Sequence, residues 1–124
     1  MKALQTVIVS LLLVLAIGCD YKYITPDTGA PVDPDDPISF SAEVEPIWTS
    51  QSCVNCHSGN GLFSLKQGEA YQSLIDNSLL DLENSANSKI VTVPGSSGLH
   101  SGYTYSGNQE LIITTWIDQG AEDN

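Results

Sequence analysis

Two cysteines and a histidine within five residues, Cys53-Val54-Asn55-Cys56-His57, constrain the fold of this 124-residue chain more than any other feature. Cysteines three positions apart on a helical turn project to the same side, so both sulfurs can bond the two vinyl groups on one edge of a porphyrin. The histidine that follows is then delivered to the iron as an axial ligand. The motif therefore predicts one covalently attached haem c, held by Cys53 and Cys56 and ligated by His57.

Two other interpretations of these residues stay open. A disulfide between Cys53 and Cys56 suits an oxidising compartment, although a loop of four residues stabilises little and leaves His57 unexplained. A structural zinc ion is the second, because the same three residues and His100 supply four sulfur and nitrogen donors. Adjacent Cys and His ligands fit a tetrahedron poorly. A thioredoxin-like oxidoreductase would need a βαβ pattern, which the sequence lacks.

The N-terminus indicates export. Lys2 precedes an apolar run over residues 7–17 that is too short to span a bilayer, which is the arrangement of a signal peptide. The run ends in Ala16-Ile17-Gly18-Cys19, which resembles the lipobox of bacterial lipoproteins. We predict a lipoprotein signal peptide over residues 1–18 and a lipid on Cys19 that anchors the chain to a bacterial membrane, facing the periplasm or the cell surface. An ordinary signal peptide with a chance cysteine is the alternative.

Residues 19–37 are predicted to form a tether between this lipid and the domain. The stretch 20–37 carries four of the six prolines and five acidic residues, without apolar periodicity. Proline-rich chain of one charge sign is extended rather than coiled.

The charge of the chain restricts its partners. The formal charge is −11, and no basic patch is available to neutralise phosphates, so we do not expect nucleic acid as a partner. A redox protein with a basic face is the electrostatically suitable partner. Acidity also keeps an exported protein soluble, which needs no partner.

Apolar periodicity predicts a helical domain over residues 38–124. Phe40, Val44 and Ile47 recur at helical spacing before the motif. Residues 69–75 and a segment ending at Ile117 are the next clear helices, the last one capped by Asn108 or Ser106 and ended by Gly120. Residues 89–93 are predicted to be extended. The side chains expected in the core of the two later helices are Ala70, Tyr71, Leu74, Ile75, Leu111, Ile112, Thr115 and Trp116.

The thin core of this domain favours a cofactor. A small domain rich in glycine and serine buries little apolar surface, and scaffolds of this size usually need a further stabilising element. A haem supplies a large apolar surface that loops can wrap.

From Phe40 to Asn124 the chain resembles the small class I-like cytochrome c domains of exported bacterial lipoproteins. The matching stretches are FSAEVEPIWTSQSCVNCH, GLFSLKQGEAYQSLI, VTVPGSSGLHSG and ELIITTWIDQGA. The resemblance implies an all-α, class I cytochrome c-like fold with short helices and long loops around one haem. It also implies that Trp116 packs near Phe40 and Ile47 on the haem side, where the first and last helices cross.

The second axial ligand departs from the pattern of this family. Many members place a Met-Pro before the last helix, whereas the only methionine here is Met1. The one other histidine, His100, lies in that loop region, and imidazole is a good ligand for haem iron. We predict His100 as the second axial ligand. The alternatives are an open position or one of Lys66, Lys89, Tyr103 and Tyr105.

These features predict an electron-transfer protein rather than an enzyme. A membrane-tethered monohaem cytochrome with two histidine ligands would carry single electrons between redox partners, at a lower potential than a His/Met cytochrome. A single C-x-x-C-H excludes a two-haem peroxidase. The alternatives are a haem-based gas or redox sensor with an open or weakly held sixth position, and a non-haem lipoprotein binding module with a disulfide or zinc at Cys53 and Cys56.

Overall fold

The computed structural model describes residues 31–124, in which short helices are joined by long loops. In chain order the elements are a π-helical turn at Phe40–Val44, α1 (Glu45–Ser50), a 3₁₀ turn at Cys53–Asn55, α2 (Ala70–Asp76), a 3₁₀ turn at Ser85–Asn87, α3 (Lys89–Thr92), a 3₁₀ turn at Gly98–His100 and α4 (Gly107–Asp118). Within these residues the only β pairing is an isolated bridge between Ser58 and Ser64, which confirms the all-α class for this part of the chain.

The predicted signal peptide, the lipid attachment site Cys19 and most of the predicted tether lie outside the described residues. Among residues 31–124, no helix combines the length and the hydropathy that crossing a bilayer requires.

The first helix of the domain passes from the π-helical turn into α1 without a break. Ser39 begins it by accepting the N–H of Ala42 through its side chain. The change from π-helical to α-helical hydrogen bonding places Pro46 in the first turn of α1. Pro46 has no N–H, and a residue in the first turn does not need one. The periodic apolar residues of this helix are all buried, as predicted: Phe40, Val44 and Ile47.

The core gathers around two fully buried tryptophans, Trp48 in α1 and Trp116 in α4. The ring of Phe40 lies between them, with its centroid 5.9 Å from that of Trp48 and 4.9 Å from that of Trp116. Tyr71 of α2 meets Phe40 edge-on at 5.5 Å. Such pairs contribute roughly 0.5–1.5 kcal/mol each beyond the area they bury. This aromatic cluster therefore joins α1, α2 and α4, and it contains the contact of Phe40 with Trp116 that the resemblance implied.

A capping box fixes the start of α4. The Ser106 hydroxyl accepts the N–H of Gln109, and the Gln109 side chain accepts the N–H of Ser106. Ser106 rather than Asn108 is therefore the N-cap. After the helix, Gly120 adopts a φ of 106°, which ends it as predicted.

Two predictions of buried apolar residues are wrong. Leu111 in α4 is 47% exposed and Ile75 in α2 is 45% exposed. A helix of seven residues such as α2 turns only a narrow stripe towards the core, and here Ala70 and Leu74 form it. In α4 the buried arc lies further along the helix than the sequence pattern indicated, at Ile113, Thr115, Trp116 and Ile117.

The prediction of an extended segment at residues 89–93 is also wrong, because this segment contains α3. The N–H groups of Val91 and Thr92 both donate to the Ser88 carbonyl, at 2.9 Å each. The β-branched residues here favour a strand by local propensity. The described chain offers no strand for them to pair with, so the backbone donors are satisfied within a helical turn.

The last residues of the predicted tether contact the domain. The Nε2 of Gln119 donates to the carbonyls of Pro34 and Asp36, at 3.0 and 2.9 Å. Its Oε1 accepts the N–H of Ile38 at 2.8 Å. Val32 packs against the core. The chain is therefore fixed beside the end of α4 from Val32 onwards, before the predicted start of the domain at Ile38.

Candidate haem site

The C-x-x-C-H motif lies on a tight turn directly after α1. Ser52 adopts a left-handed φ of 61°, which ends the helix and begins the 3₁₀ turn. The N–H groups of Cys56 and His57 then both donate to the Cys53 carbonyl, at 3.2 and 2.9 Å. Both thiols are free, with Cys53 half-buried and Cys56 exposed. The disulfide alternative is therefore not formed in this structure.

Burial also raises the pKa of the Cys53 thiol, and the neighbouring Cys56 adds to this effect, while a backbone hydrogen bond opposes it. Because the thiolate is the reactive form, Cys53 stays a protonated and weakly reactive thiol at neutral pH.

His57 lies at the base of a short loop that reverses direction. The Leu65 N–H donates to the His57 carbonyl at 2.8 Å and closes the loop. Gly59 and Gly61 take φ values of 85° and 82°, which glycine adopts without steric cost. The reversal brings Phe63 face to face with the His57 imidazole, with ring centroids 4.1 Å apart and planes 26° apart.

Ser64 attaches this loop to α2. Its N–H donates to the Ser73 hydroxyl and its own hydroxyl donates to the Glu69 carboxylate, each at 2.7 Å. Nearby, the buried carboxylate of Glu45 in α1 accepts the N–H of Gly68 at 2.7 Å. The loop beside the histidine is thus held by both α1 and α2.

The structure brings the two histidines of the chain together. The imidazole centroids of His57 and His100 are 6.1 Å apart, and the ring planes differ by 18°. When two imidazoles ligate one metal ion from opposite sides, metal–nitrogen bonds of about 2 Å put the ring centres about 6 Å apart. The observed centroid spacing is close to this value.

His100 ends a 3₁₀ turn within a loop that backbone hydrogen bonds make compact. Its carbonyl accepts the N–H of Gly95 at 3.1 Å and the N–H of Tyr103 at 3.0 Å. Gly95 has a φ of 77°, and a Cβ there would lie 2.9 Å from Cγ2 of Thr104. Only glycine fits this close approach, so the sequence of the loop specifies where the backbone of His100 lies.

One nitrogen of His57 lacks a partner. Its Nδ1 is buried and makes no hydrogen bond to any described residue, which is rare for a buried polar atom. Burial lowers the pKa of His57 and the proximity of His100 lowers it further, while the Phe63 carbonyl acts in the opposite direction. The imidazole is therefore neutral at neutral pH, which is the form that binds metal.

The other residues considered as the second axial ligand are less suitable. The Tyr105 hydroxyl accepts a hydrogen bond from Trp48 Nε1 at 3.0 Å and donates one to the Ile90 carbonyl at 3.1 Å. Burial raises the pKa of Tyr105, so it is a neutral phenol that is already hydrogen-bonded. The remaining candidates are exposed on the surface: Lys66, Lys89 and Tyr103.

The structure does not gather the donors that the zinc alternative needs. Within residues 31–124, no group of three or more His, Cys, Asp or Glu side chains is close enough to hold a metal ion. A structural zinc ion requires four such donors.

The packing residues expected on the haem side lie in the hydrophobic core, which reaches the motif. Phe40, Ile47 and Trp116 are all buried members of the core cluster. Cys53 and Phe63 are partly buried against the same cluster. The sequence pattern gives no sign of a site role for Phe63, because its contact with the histidine depends on the reversal of the loop.

Comparison of the chain with protein-family models, with curated proteins and with solved structures gave no match. What the site binds must therefore be judged from its own residues and geometry. Two thiols on one turn and two near-parallel imidazoles with centroids 6.1 Å apart are the residues that a haem c would use.

Proposed function

We propose that this protein is a membrane-tethered c-type cytochrome with one haem, which carries single electrons between redox partners. The observation that carries the proposal is the pairing of the His57 and His100 imidazoles at 6.1 Å, next to a C-x-x-C turn with free thiols. In this proposal Cys53 and Cys56 form the two thioether bonds. His57 is the first axial ligand and His100 is the second.

A bound haem c supplies a one-electron couple between ferric and ferrous iron. The residues of the chain decide how that couple is used. His57 and His100 together would fill both axial positions of a bound haem, which would leave none for a substrate and favour electron transfer. Neither ligand is a thioether, so we expect a lower reduction potential than that of a His/Met cytochrome.

A small class I-like cytochrome c domain is the finer fold assignment, and it belongs to the same proposal. The motif directly follows the first helix of the domain. Phe40 of that helix packs on Trp116 of α4, with centroids 4.9 Å apart.

Export, lipidation of Cys19 and the class of partner complete the proposal. The formal charge of −11 favours a redox partner with a basic face, because complementary charge speeds the encounter. Redox encounters use small interfaces, so a domain of this size suffices.

The first experiment tests haem attachment. The full chain is produced in a bacterial host that has the haem c maturation system, and the purified protein is analysed by intact mass and by its pyridine haemochrome spectrum. We expect the mass of one haem per chain, and its loss when Cys53 and Cys56 are both replaced by Ala. Apoprotein with free or oxidised thiols would contradict the proposal.

The second experiment tests the second axial ligand and separates electron transfer from gas sensing. The oxidised wild type should show a low-spin spectrum, and the reduced wild type should change little when carbon monoxide is added. His100→Ala should lose the low-spin signature and bind carbon monoxide rapidly. Tyr103→Phe, an exposed residue of the same loop, is the matched control. An unchanged spectrum in His100→Ala would refute the ligand, and a rapid carbonyl complex in the wild type would support a sensor.

A further inference from the structure

We propose that Phe63 sets the orientation of the His57 imidazole plane, and thereby the near-parallel alignment of the two axial imidazoles. This inference rests on the proposed function and deepens it, since it assigns a role in the same site to a residue outside the motif. Phe63 is a positioning residue, because it acts through His57.

The need for such a residue follows from the freedom of the His57 side chain. The backbone of His57 is fixed by the bonds to Cys53 and Leu65. Rotation about the Cβ–Cγ bond remains, and this torsion has a broad energy profile in histidine. A metal-ligating histidine is usually oriented by a hydrogen bond from its other ring nitrogen. In this structure the buried Nδ1 makes no hydrogen bond of regular geometry to a described residue, and the backbone group that acts on the ring is the carbonyl of Phe63 itself.

The aromatic stack constrains the ring plane more strongly than this carbonyl contact. The Phe63 ring covers one face of the imidazole at a centroid distance of 4.1 Å. Rotation of the imidazole about Cβ–Cγ would drive its edge into the Phe63 ring, so the stack restricts the torsion. Offset stacking of two aromatic rings also favours this arrangement energetically.

The position of Phe63 is itself set by the scaffold. The next residue, Ser64, bonds to Ser73 and Glu69 at 2.7 Å each. Phe63 also packs partly buried against the core. The orientation of the His57 plane is therefore transmitted from α2 and does not depend on a free loop.

The result of this restriction is an angle of 18° between the planes of His57 and His100. The direction of each axial imidazole plane determines how strongly it interacts with the iron orbitals that hold the unpaired electron. Two near-parallel imidazole planes interact with the iron orbitals along the same direction, which makes the energies of these orbitals unequal. Planes at a larger angle to each other reduce this difference in energy. The ligand orientation is thus a means by which the protein tunes the iron.

Electron paramagnetic resonance of the ferric holoprotein measures this inequality directly. We expect a rhombic low-spin spectrum for the wild type and for Phe63→Tyr, which keeps the stacked ring. Phe63→Leu keeps apolar bulk but removes the ring, so we expect a shift of the largest g value and broader lines. Leu62→Ala, at the exposed neighbour in the same loop, is the matched control and should retain the wild-type g values.

The outcomes separate this inference from the proposed function. Wild-type protein without haem would refute both. Wild-type g values in a fully loaded, low-spin Phe63→Leu protein would refute the role of Phe63 and leave the proposed function intact. A second ring-free variant, Phe63→Met, guards against a folding defect. If both ring-free variants fail to attach haem while Phe63→Tyr attaches it, the ring is needed to build the site, and the positioning role is refuted.

Discussion

Replacement of Tyr105 by Phe should destabilise the domain strongly, because one hydroxyl satisfies two buried groups. It accepts from Trp48 Nε1 at 3.0 Å and donates to the Ile90 carbonyl at 3.1 Å. Trp48 is fully buried, so water cannot replace the lost acceptor. The residue four positions after Ile90 is Pro94, which has no N–H to offer that carbonyl.

The magnitude follows from these two orphaned groups. Each buried polar group left without a partner costs roughly 1–3 kcal/mol, so for two groups we expect the free energy of unfolding to fall by about 2–6 kcal/mol. For a domain of this size, even the lower end of this range lowers the melting temperature by about 10 °C.

Urea denaturation followed by circular dichroism, on wild-type and variant protein of equal haem content, measures the difference. Tyr103→Phe removes an exposed hydroxyl from the same loop and should change the free energy of unfolding by less than about 0.5 kcal/mol. If Tyr105→Phe is as stable as this control, the hydroxyl does not join the segments that carry Trp48 and Ile90, and the reasoning fails.

Three further predictions use the same denaturation assay. Ser106→Ala removes the cap that the Gln109 N–H donates to and should lower the free energy of unfolding by about 1 kcal/mol, whereas an unchanged value would exclude the cap. Gly95→Ala should destabilise the His100 loop through its positive φ and the clash with Thr104, and Thr104→Ser should recover part of the loss; no recovery would contradict the clash. Burial raises the pKa of Tyr105 in the folded state, so its stabilising contribution is complete below about pH 10 and is lost as pH rises above it. The free energy of unfolding should therefore fall less steeply above about pH 10 in Tyr105→Phe, and equal slopes would contradict this.

The features of the fold that the sequence predicted correctly are local ones. The spacing of Phe40, Val44 and Ile47 specified both the first helix and its buried face. The start of α4 was ambiguous because Ser106 and Asn108 are both good N-caps, and only the reciprocal bonds with Gln109 decide between them. The helix at α3 could not be predicted, since its β-branched residues favour a strand, and whether residues 31–124 supply a strand for them to pair with depends on tertiary structure.

The residues of the candidate site also differ in whether a local sequence pattern indicates them. Cys53, Cys56 and His57 lie within five residues, so the prediction of a haem there could be made from spacing alone. His100 was proposed as a ligand because the chain has no other histidine to offer, and its approach to His57 is a tertiary contact that no local pattern encodes. The stacking of Phe63 on His57 depends on the reversal of the loop, which the hydrogen bonds of Ser64 to Ser73 and Glu69 hold in place. No local sequence pattern predicts these hydrogen bonds.

The hydrogen bonds of Gln119 shorten the tether between the proposed lipid anchor and the domain. With a lipid on Cys19, as proposed, a chain free as far as Ile38 would extend at most about 65 Å, whereas one held by Gln119 at Pro34 extends at most about 50 Å. The area of membrane that the domain can reach around the anchor scales with the square of this length, so it falls to about three fifths. Gln119, at the end of the last helix, thus reduces the area around the lipid anchor within which the domain can contact a redox partner.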